Sequence, residues 1–563
     1  MTKTRAKLFA LITLVIALSA CGWREGGQPT PPGGESSITV YPNTANVHVS
    51  QSILLQATVF NPGSTSGAVT WSLSGAGCSG TTCGTISSIG LDHGFYTAPA
   101  SVPSPATVTV KATYNSMSAS ATITILAAVV VSEKWTWVSG SNTGTQMGTY
   151  GTKGTAALSN VPGARERAVS WIDSQGNLWL FGGDGFDSGG TFDLLNDLWK
   201  YDPITLEWTW VSGSNTVHQT GTYGTKGVAD PSNVPGARSG AASWIDSQGK
   251  LWLFGGVGYA SLGNNWLLND LWKFDPTTLE WTWVSGNDIG KQAGTYGTKG
   301  TADPSNVPGA RYSAVSWLDS SGKLWLFGGW GYDSGNIDGE LNDLWEYDPA
   351  TLEWTWVSGT SSIDQTGIYG TLGTADPSNV PGGRHDAVSW IDPQGKLWLF
   401  GGWGYAPGGS IGGRLNDLWE YDPATLEWAW VSGSNVFGQN GTYGIQGTAD
   451  PLNVPGARSL AVSWLDSQGN LWLFGGGTDY GDLNDLWKYD PTTLEWTWVS
   501  GSDIGNQPGT YGTKGTAALS NVPGARERAV SWIDSQGNLW LFGGTGIDSA
   551  GYWGPLNDLW QIR

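Results

Sequence analysis

Apolar and polar residues alternate along most of the chain in short runs of strand length. From residue 135 onward, runs such as AVSW, LWLFGG, DLWKYD and EWTWV recur in the same order. Segments rich in Asp, Gly and Pro, such as DSQGN and DPTTLE, separate these runs. Alternation with period two between turn-forming residues is typical of β-strands joined by tight turns. The pattern therefore predicts an all-β protein.

The four runs recur as a long internal repeat. The phenylalanine before each glycine pair lies at Phe181, Phe254, Phe327, Phe400, Phe474 and Phe542, at spacings of 73, 73, 73, 74 and 68 residues. Four strands per copy and six copies predict a six-bladed β-propeller over residues 135–563. The last copy lacks a fourth run, and a spare one stands at 135–138. Pairing these ends would close the ring and remove its exposed edges.

The repeat resembles the kelch family. The shared features are the apolar strand ending in Gly-Gly, a tyrosine and a tryptophan spaced as Tyr201 and Trp208, and Pro-Gly-Ala-Arg before the first strand. The resemblance implies a kelch-type propeller, a fold that carries many functions.

A second region, residues 38–127, shows the same alternation without the repeat. Runs such as ITVYP, ILLQATVF and TVTVKATY predict a small β-sandwich. The stretch around VTWSLSGAGCSGTTCGTISS resembles bacterial Ig-like domains. Cys78 and Cys83 flank a Gly-Ser-Thr loop, and oxidising conditions outside the cytoplasm favour a disulfide between them. A metal site would need more ligands, and only His93 is near.

The first residues predict export and anchoring. Lys3, Arg5 and Lys7 precede an apolar run, 8–18, that is too short to span a bilayer, so residues 1–20 are predicted to be a signal peptide. Leu-Ser-Ala-Cys, ending at Cys21, resembles the lipobox of bacterial lipoproteins. That resemblance implies lipidation of Cys21, a cell-envelope location and, with Gly22 after the cysteine, the outer membrane of a Gram-negative cell. Residues 21–37 are predicted to be a flexible tether.

The formal net charge of -20 limits the partners. An acidic surface repels phosphate backbones and anionic headgroups. We expect no nucleic acid partner, and attachment to a membrane through the lipid anchor only.

Differences between the six copies indicate where a ligand would bind. In a four-stranded meander, the second-to-third loop and the fourth-to-first link emerge on one face, here called the loop face. The second-to-third loops and the opening of each fourth-to-first link differ in every copy, whereas the DSQGN and DPTTLE turns of the opposite face hardly change. Variable loops on a rigid scaffold favour recognition, although loops that pack on nothing also drift.

Aromatic residues are frequent in these variable loops. Rings flanked by Gly, Asp and Asn can stack on sugars or anchor a protein partner, or can simply cover neighbouring blades. The candidate ligand-binding residues of this kind are Trp330, Tyr332, Trp403, Tyr405, Tyr259 and Trp266.

Each copy also carries one arginine at the start of its first strand. These are Arg165, Arg238, Arg311, Arg384, Arg458 and Arg526. A ring of guanidinium groups could bind an anionic ligand. Each copy also has an Asn-Asp pair before its third strand, so an arginine–aspartate pair inside every blade is the simpler alternative.

The sequence lacks a recognisable set of catalytic residues. Some kelch propellers resemble galactose oxidase, which needs copper, two histidines, two tyrosines and a crosslinked cysteine. The propeller here has only His218 and His385 and no cysteine. We expect no catalytic residues of that kind, no metal and no cofactor.

The sequence therefore favours a surface-anchored binding or display module for a glycan or protein, rather than an enzyme. The alternatives are a sugar-modifying enzyme, such as the kelch family that epimerises sialic acid, and a purely structural envelope protein.

Overall fold

The computed structural model describes residues 36–49, 52–60, 67–126, 133–409 and 412–563. The described chain divides into two compact units, one on each side of residue 130. Its single helix is a 3-10 turn, Gly80–Cys83, and none of the described helical residues could span a membrane. The signal peptide and Cys21 lie outside the described residues. Their assignment stays a prediction.

The first unit consists of two four-stranded sheets packed face to face. Its strands are β1 (Ser37–Tyr41), β2 (Thr44–His48), β3 (Ser52–Phe60), β4 (Thr70–Ser74), β5 (Thr85–Ile89), β6 (His93–Thr97), β7 (Thr107–Tyr114) and β8 (Met117–Leu126). The sheet orders are β1-β3-β6-β5 and β2-β8-β7-β4. Alternate residues of β7 and β8, such as Val108, Val110 and Ile123, fill the core between the sheets. A disulfide joins Cys78 to Cys83.

The second unit contains six four-stranded sheets, one for each copy of the repeat. The innermost strands are Val169–Ile172, Ala242–Ile245, Val315–Leu318, Val388–Ile391, Val462–Leu465 and Val530–Ile533. The second strands are Leu178–Phe186, Leu251–Phe254, Leu324–Phe327, Leu397–Phe400, Leu471–Thr478 and Leu539–Phe542. The third strands are Phe192–Asp202, Leu271–Asp275, Leu344–Asp348, Leu418–Asp422, Gly481–Asp490 and Leu559–Ile562. The outer strands are Glu207–Ser212, Glu280–Ser285, Glu353–Ser358, Glu427–Ser432, Glu495–Ser500 and, for the last sheet, Trp135–Ser139.

These sheets, numbered here as blades 1 to 6 in chain order of their innermost strands, surround a central channel. Each innermost strand contacts the next, and blade 6 contacts blade 1. A serine in each innermost strand donates a hydrogen bond to the matching serine carbonyl of the preceding blade, and the bond from Ser170 to Ser531 closes this ring. The β-propeller predicted from the repeat is confirmed.

The spare run completes blade 6. Residues Trp135–Ser139 pair antiparallel with Leu559–Ile562, and the Lys134 amide donates to the Arg563 carbonyl at 2.9 Å. The Trp135 ring packs against Phe474 of blade 5 at 5.4 Å between centroids. Both chain ends of the propeller are thereby held within one sheet.

Tryptophans form the packing between blades. Trp281 of blade 2, for example, is fully buried against Phe181 of blade 1 and Trp272 of its own blade. The same arrangement recurs around the ring, so each blade seals its neighbour with large aromatic surfaces. Two-residue strands at Ala229–Asp230, Ala375–Asp376 and Ala449–Asp450 extend three of the outer edges.

Candidate functional site

The glycine pair of each repeat lets the second strand continue onto the loop face. In blade 3, Gly328 and Gly329 both have positive φ, and a Cβ at either would press on the carbonyls of Arg384 or Tyr312. Only glycine tolerates this backbone and this approach. Beyond the glycines the chain forms a small rim sheet on the loop face.

The rim sheets bring together three segments of each repeat. The first segments, each beginning at the repeat arginine, are Arg165–Glu166, Arg238–Ser239, Arg311–Tyr312, Arg384–His385 and Arg526–Glu527; in blade 5 a single bridge joins Ser459 to Gly477. Separate second segments are Val257–Tyr259, Trp330–Tyr332, Trp403–Gly404 and Thr545–Ile547, and separate third segments are Asn265–Leu267, Asp338–Glu340, Gly413–Arg414 and Trp553–Pro555. In blades 1 and 5 the long second and third strands supply these segments.

In each rim sheet, one residue from each of the three segments lies side by side with the next, and we call this triplet a rung. The residues of the rung change from blade to blade, although the backbone pairing around them is the same. From blade 1 to blade 6 the rungs are Glu166–Asp184–Leu194, Ser239–Val257–Leu267, Tyr312–Trp330–Glu340, His385–Trp403–Arg414, Ser459–Gly477–Asp482 and Glu527–Thr545–Pro555. The rungs give a nearly six-fold scaffold a set of side chains without symmetry.

The residue after the first member of each rung narrows the channel. Arg167, Gly240, Ser313, Asp386, Leu460 and Arg528 all have φ between 52° and 62°. Each amide donates to the carbonyl of the equivalent residue in the preceding blade, at 2.7–3.1 Å, so that six backbone bonds form a closed ring. With the alanines that follow, these residues line a depression of about 140 Å³ at the channel mouth.

Charged side chains reach across and around this depression. Arg167 of blade 1 contacts Asp386 of the opposite blade 4 at 3.3 Å, and its guanidinium lies 5.5 Å from the Tyr312 ring centroid. Arg528 of blade 6 contacts Glu166 at 3.1 Å. These contacts join blades that are remote in sequence into one polar cluster.

Several acids of the cluster have lost much of their contact with water. Burial raises the pKa of Glu527 to about 7, although Arg528, 3.2 Å away, opposes the shift. Burial also raises the pKa of Glu340, which accepts a hydrogen bond from His385 at 2.8 Å. Burial would lower the pKa of His385, but its bond to Glu340 and the charge of Asp386 outweigh that effect and raise it. Glu527, whose pKa is about 7, can therefore exchange a proton near neutral pH within this cluster.

Two of the aromatic candidates border this cluster. Trp330 and Trp403 are half-buried rung residues, and the Trp330 ring lies 6.1 Å from the His385 ring. The Arg414 guanidinium lies 5.3 Å from the Trp403 ring centroid. Trp330, His385 and Trp403 thus lie together in the rim sheets of blades 3 and 4.

The other aromatic candidates lie farther out on the loop face. Tyr332 and Tyr405 are half-buried in their hairpins. Tyr259 contacts His218, and the Lys291 ammonium lies 3.2 Å from the centroid of the Trp266 ring, over its face. The structure therefore does not bring the six aromatic candidates into a single platform.

The repeat arginines are held inside the blades. The Arg311 guanidinium makes two parallel bonds of 2.7 Å to Asp343, and Asp343 also accepts from Tyr296 and Trp345. The same arrangement recurs in each blade, at Arg165, Arg238, Arg311, Arg384, Arg458 and Arg526, each only 1% exposed. Buried and paired in this way, these guanidinium groups are not accessible to a ligand, and they fix the rim sheets to the third strands.

Sequence reasoning missed the two positions that follow each repeat arginine. They read ER, SG, YS, HD, SL and ER between an invariant arginine and an alanine. Variation at two adjacent positions inside an otherwise constant motif was the available signal. Within the described residues, no group of three or more His, Cys, Asp or Glu side chains is arranged to hold a metal ion.

Comparison with known proteins is consistent with the fold. Residues 301–508 match the family model described as the KLHDC2/KLHL20/DRC7 Kelch-repeats domain. N-acetylneuraminate epimerase of Escherichia coli O139:H28 (strain E24377A / ETEC) is 30% identical over 227 residues, which are 32% of this chain and 59% of that protein. The enzyme of the same name from Shigella flexneri serotype 5b (strain 8401) is 31% identical over 201 residues, 30% of this chain and 49% of that protein. The chain thus spans at most about three fifths of these relatives.

A solved structure, titled "Structure of YjhT", covers 71% of this chain and 95% of its own, at 16% identity and a TM-score of 0.42.

Proposed function

We propose that the propeller recognises a saccharide at its channel mouth, on the loop face. One observation carries the proposal: the residues that line the depression at this mouth vary around the ring, and several charged groups of the neighbouring rungs are desolvated. A merely structural position would be expected to repeat from blade to blade, as the Arg311–Asp343 pair does.

The chemistry of the mouth suits sugar hydroxyl groups. Carboxylates such as Glu166 and Asp386 accept hydrogen bonds, and Arg167 and Arg528 donate them. The half-buried Trp330 supplies an apolar ring surface of the kind on which the C–H face of a sugar stacks. Polar groups that fix orientation beside aromatic surface are the usual composition of a small-molecule site.

The raised pKa of Glu527 favours a second candidate, acid–base catalysis on the bound sugar. Near neutral pH this carboxyl exists in both protonation states. A base can take the proton of the anomeric hydroxyl while an acid protonates the ring oxygen. The ring C–O bond then breaks to leave a carbonyl, and reclosure on the other face reverses both transfers. No cofactor is consumed, and the similar curated proteins are named epimerases.

Attachment to the cell envelope through a lipid on Cys21 is part of the same proposal. Its support is the lipobox-like sequence before the cysteine. Such an anchor would hold the propeller outside the cytoplasm.

Binding is tested by saturation-transfer NMR against N-acetylneuraminic acid and neutral monosaccharides. We expect a double variant, Trp330→Ala with Trp403→Ala, to show no saturation transfer from the protein to the sugar. Its melting temperature should stay close to that of the wild type, because both rings are only half-buried. Gln248→Ala, on an exposed turn of the opposite face, should bind like the wild type. Equal binding by the double variant would place the site elsewhere.

Catalysis is tested by the rate of anomer exchange of the sugar that binds. Glu527→Gln should slow the exchange by about 10²-fold or more, while the dissociation constant changes little. A wild-type rate equal to that of the free sugar would reject the second candidate and leave the binding proposal intact.

A further inference from the structure

Blade 5 differs from the other blades in the length of its rim hairpin. The repeat that starts at Phe474 is 68 residues long, against 73 or 74 elsewhere. Its second strand reaches only Thr478 before the chain turns, and the Thr478 hydroxyl donates to the Gly481 carbonyl at 2.8 Å. The hairpin therefore ends close to the glycine pair.

In the other blades the longer hairpin covers a glycine of the Pro-Gly motif. The covering residues are Phe186, Tyr259, Tyr332, Tyr405 and Ile547. The backbone amide of each donates a hydrogen bond, at 2.8–3.0 Å, to the carbonyl of the residue that comes directly after the glycine of the Pro-Gly motif. Their carbonyls lie so close that the glycine admits no side chain. In blade 5 the three atoms nearest to the Cβ position of the matching Gly456 belong to Asn440 and Gly441, and none belongs to the hairpin.

A cavity of about 240 Å³ occupies the space left by the short hairpin. Its lining includes Tyr443, Gln439 and Asn440. Tyr443 is half-buried, whereas its five counterparts in the other blades are only 4–6% exposed. The Tyr443 hydroxyl still donates to Asp485 at 2.7 Å, so the ring stays fixed while one side of it faces the cavity.

The rim of the cavity carries an aromatic ring and two acids. Tyr480 is 76% exposed, and Asp479 and Asp503 lie beside it. Arg414 contacts Asp479 at 2.7 Å and neutralises it. Asp503 adds negative charge, which disfavours anionic ligands.

We propose that this cavity is a second saccharide site, which binds a single neutral sugar ring. Its volume is below the ~300–1,000 Å³ of pockets for drug-sized ligands, which suits one sugar ring. Carboxylate and amide groups can bond to adjacent hydroxyls, and the Tyr480 ring can stack on the C–H face. The site is independent of the one at the channel mouth, from which it differs in lining, charge and ligand.

The test uses the methyl glycosides of glucose, galactose and mannose as probes in saturation-transfer NMR. Their anomeric carbon is locked, so anomer exchange at the channel mouth cannot contribute. We expect at least one of them to bind the wild-type protein, and Tyr480→Ala to weaken that binding about tenfold or more. The matched control is Tyr552→Ala, because Tyr552 is 74% exposed on the hairpin of blade 6.

A second variant fills the cavity without removing the scaffold. Replacing residues 477–482 by a copy of residues 545–555 gives blade 5 the hairpin of blade 6, including the residue that covers the glycine. This graft should abolish binding, and the Trp330→Ala, Trp403→Ala variant should retain it. The proposal is overturned if none of the methyl glycosides binds, or if both the graft and Tyr480→Ala bind like the wild type.

Discussion

The closing strand of the propeller is held by packing that one substitution can remove. Trp135 is 3% exposed and contacts Phe474 of blade 5 and Trp560 of its own blade, at centroid distances of 5.4 and 6.3 Å. Replacing a buried tryptophan by alanine removes the transfer free energy of the ring and leaves a cavity. We therefore expect Trp135→Ala to lower the free energy of unfolding by about 3–5 kcal/mol.

The matched control is Trp281→Ala, since Trp281 makes the equivalent contacts with Phe181 and Trp272 in blade 2 but is continuous with its blade in sequence. Urea unfolding followed by tryptophan fluorescence reports on the propeller, because all tryptophans except Trp23 and Trp71 lie there. The two variants should lose stability to within about 1 kcal/mol of each other. An unchanged midpoint for Trp135→Ala beside a large loss for Trp281→Ala would show that another segment closes the ring.

Three other predictions concern the electrostatics and the anchor. The pKa of Glu527 is raised from 4.5 to about 7, so its ionisation should lower the free energy of unfolding by up to about 3 kcal/mol as the pH rises through 7. Urea unfolding at pH 5 and pH 9 should show this loss in the wild type and not in Glu527→Gln. Equal losses in the two proteins would refute the prediction. Asp343→Asn should lower the free energy of unfolding by about 3–5 kcal/mol, because it leaves the buried Arg311 charge unpaired. Lys323→Gln, which breaks a partly exposed ion pair, should lower it by only about 0–1 kcal/mol. Equal losses of stability in urea unfolding would contradict this prediction. Cys21→Ser should move the protein from the membrane pellet to the soluble fraction, and retention after a high-salt wash would refute lipidation.

The repeat carried most of the information needed to predict the propeller. Alternation in LWLFGG and EWTWV, with a constant spacing, predicts strands whose apolar faces must pack between blades. The unpaired run at 135–138 indicated how the ring closes, because an incomplete last copy needs a partner. The Ig-like identification of residues 38–127 stays a prediction, although that region does form two packed sheets.

The site was harder to predict because it depends on contacts across the ring. Arg167 and Asp386 are 219 residues apart and meet only because their blades lie opposite each other. In the sequence each looks like an ordinary charged surface residue. The repeat arginines raised the opposite difficulty, since a conspicuous ring of positive charge is consistent with both a ligand site and internal pairing until burial is known.

Filling the depression at the channel mouth tests the central claim most directly. Gly240 has φ +62°, and Leu460 adopts the same conformation at the equivalent place in blade 5, so Gly240→Leu should be accommodated while its side chain occupies the mouth. Gly249→Leu is the matched control, because Gly249 also has a positive φ but stands in open space on the opposite face.

The measurement is the dissociation constant, by calorimetry, of the saccharide that the wild-type protein binds at the mouth. The account predicts that Gly240→Leu abolishes this binding and that Gly249→Leu leaves it unchanged. Undiminished binding by a folded Gly240→Leu protein would contradict the assignment of the channel mouth as the recognition site.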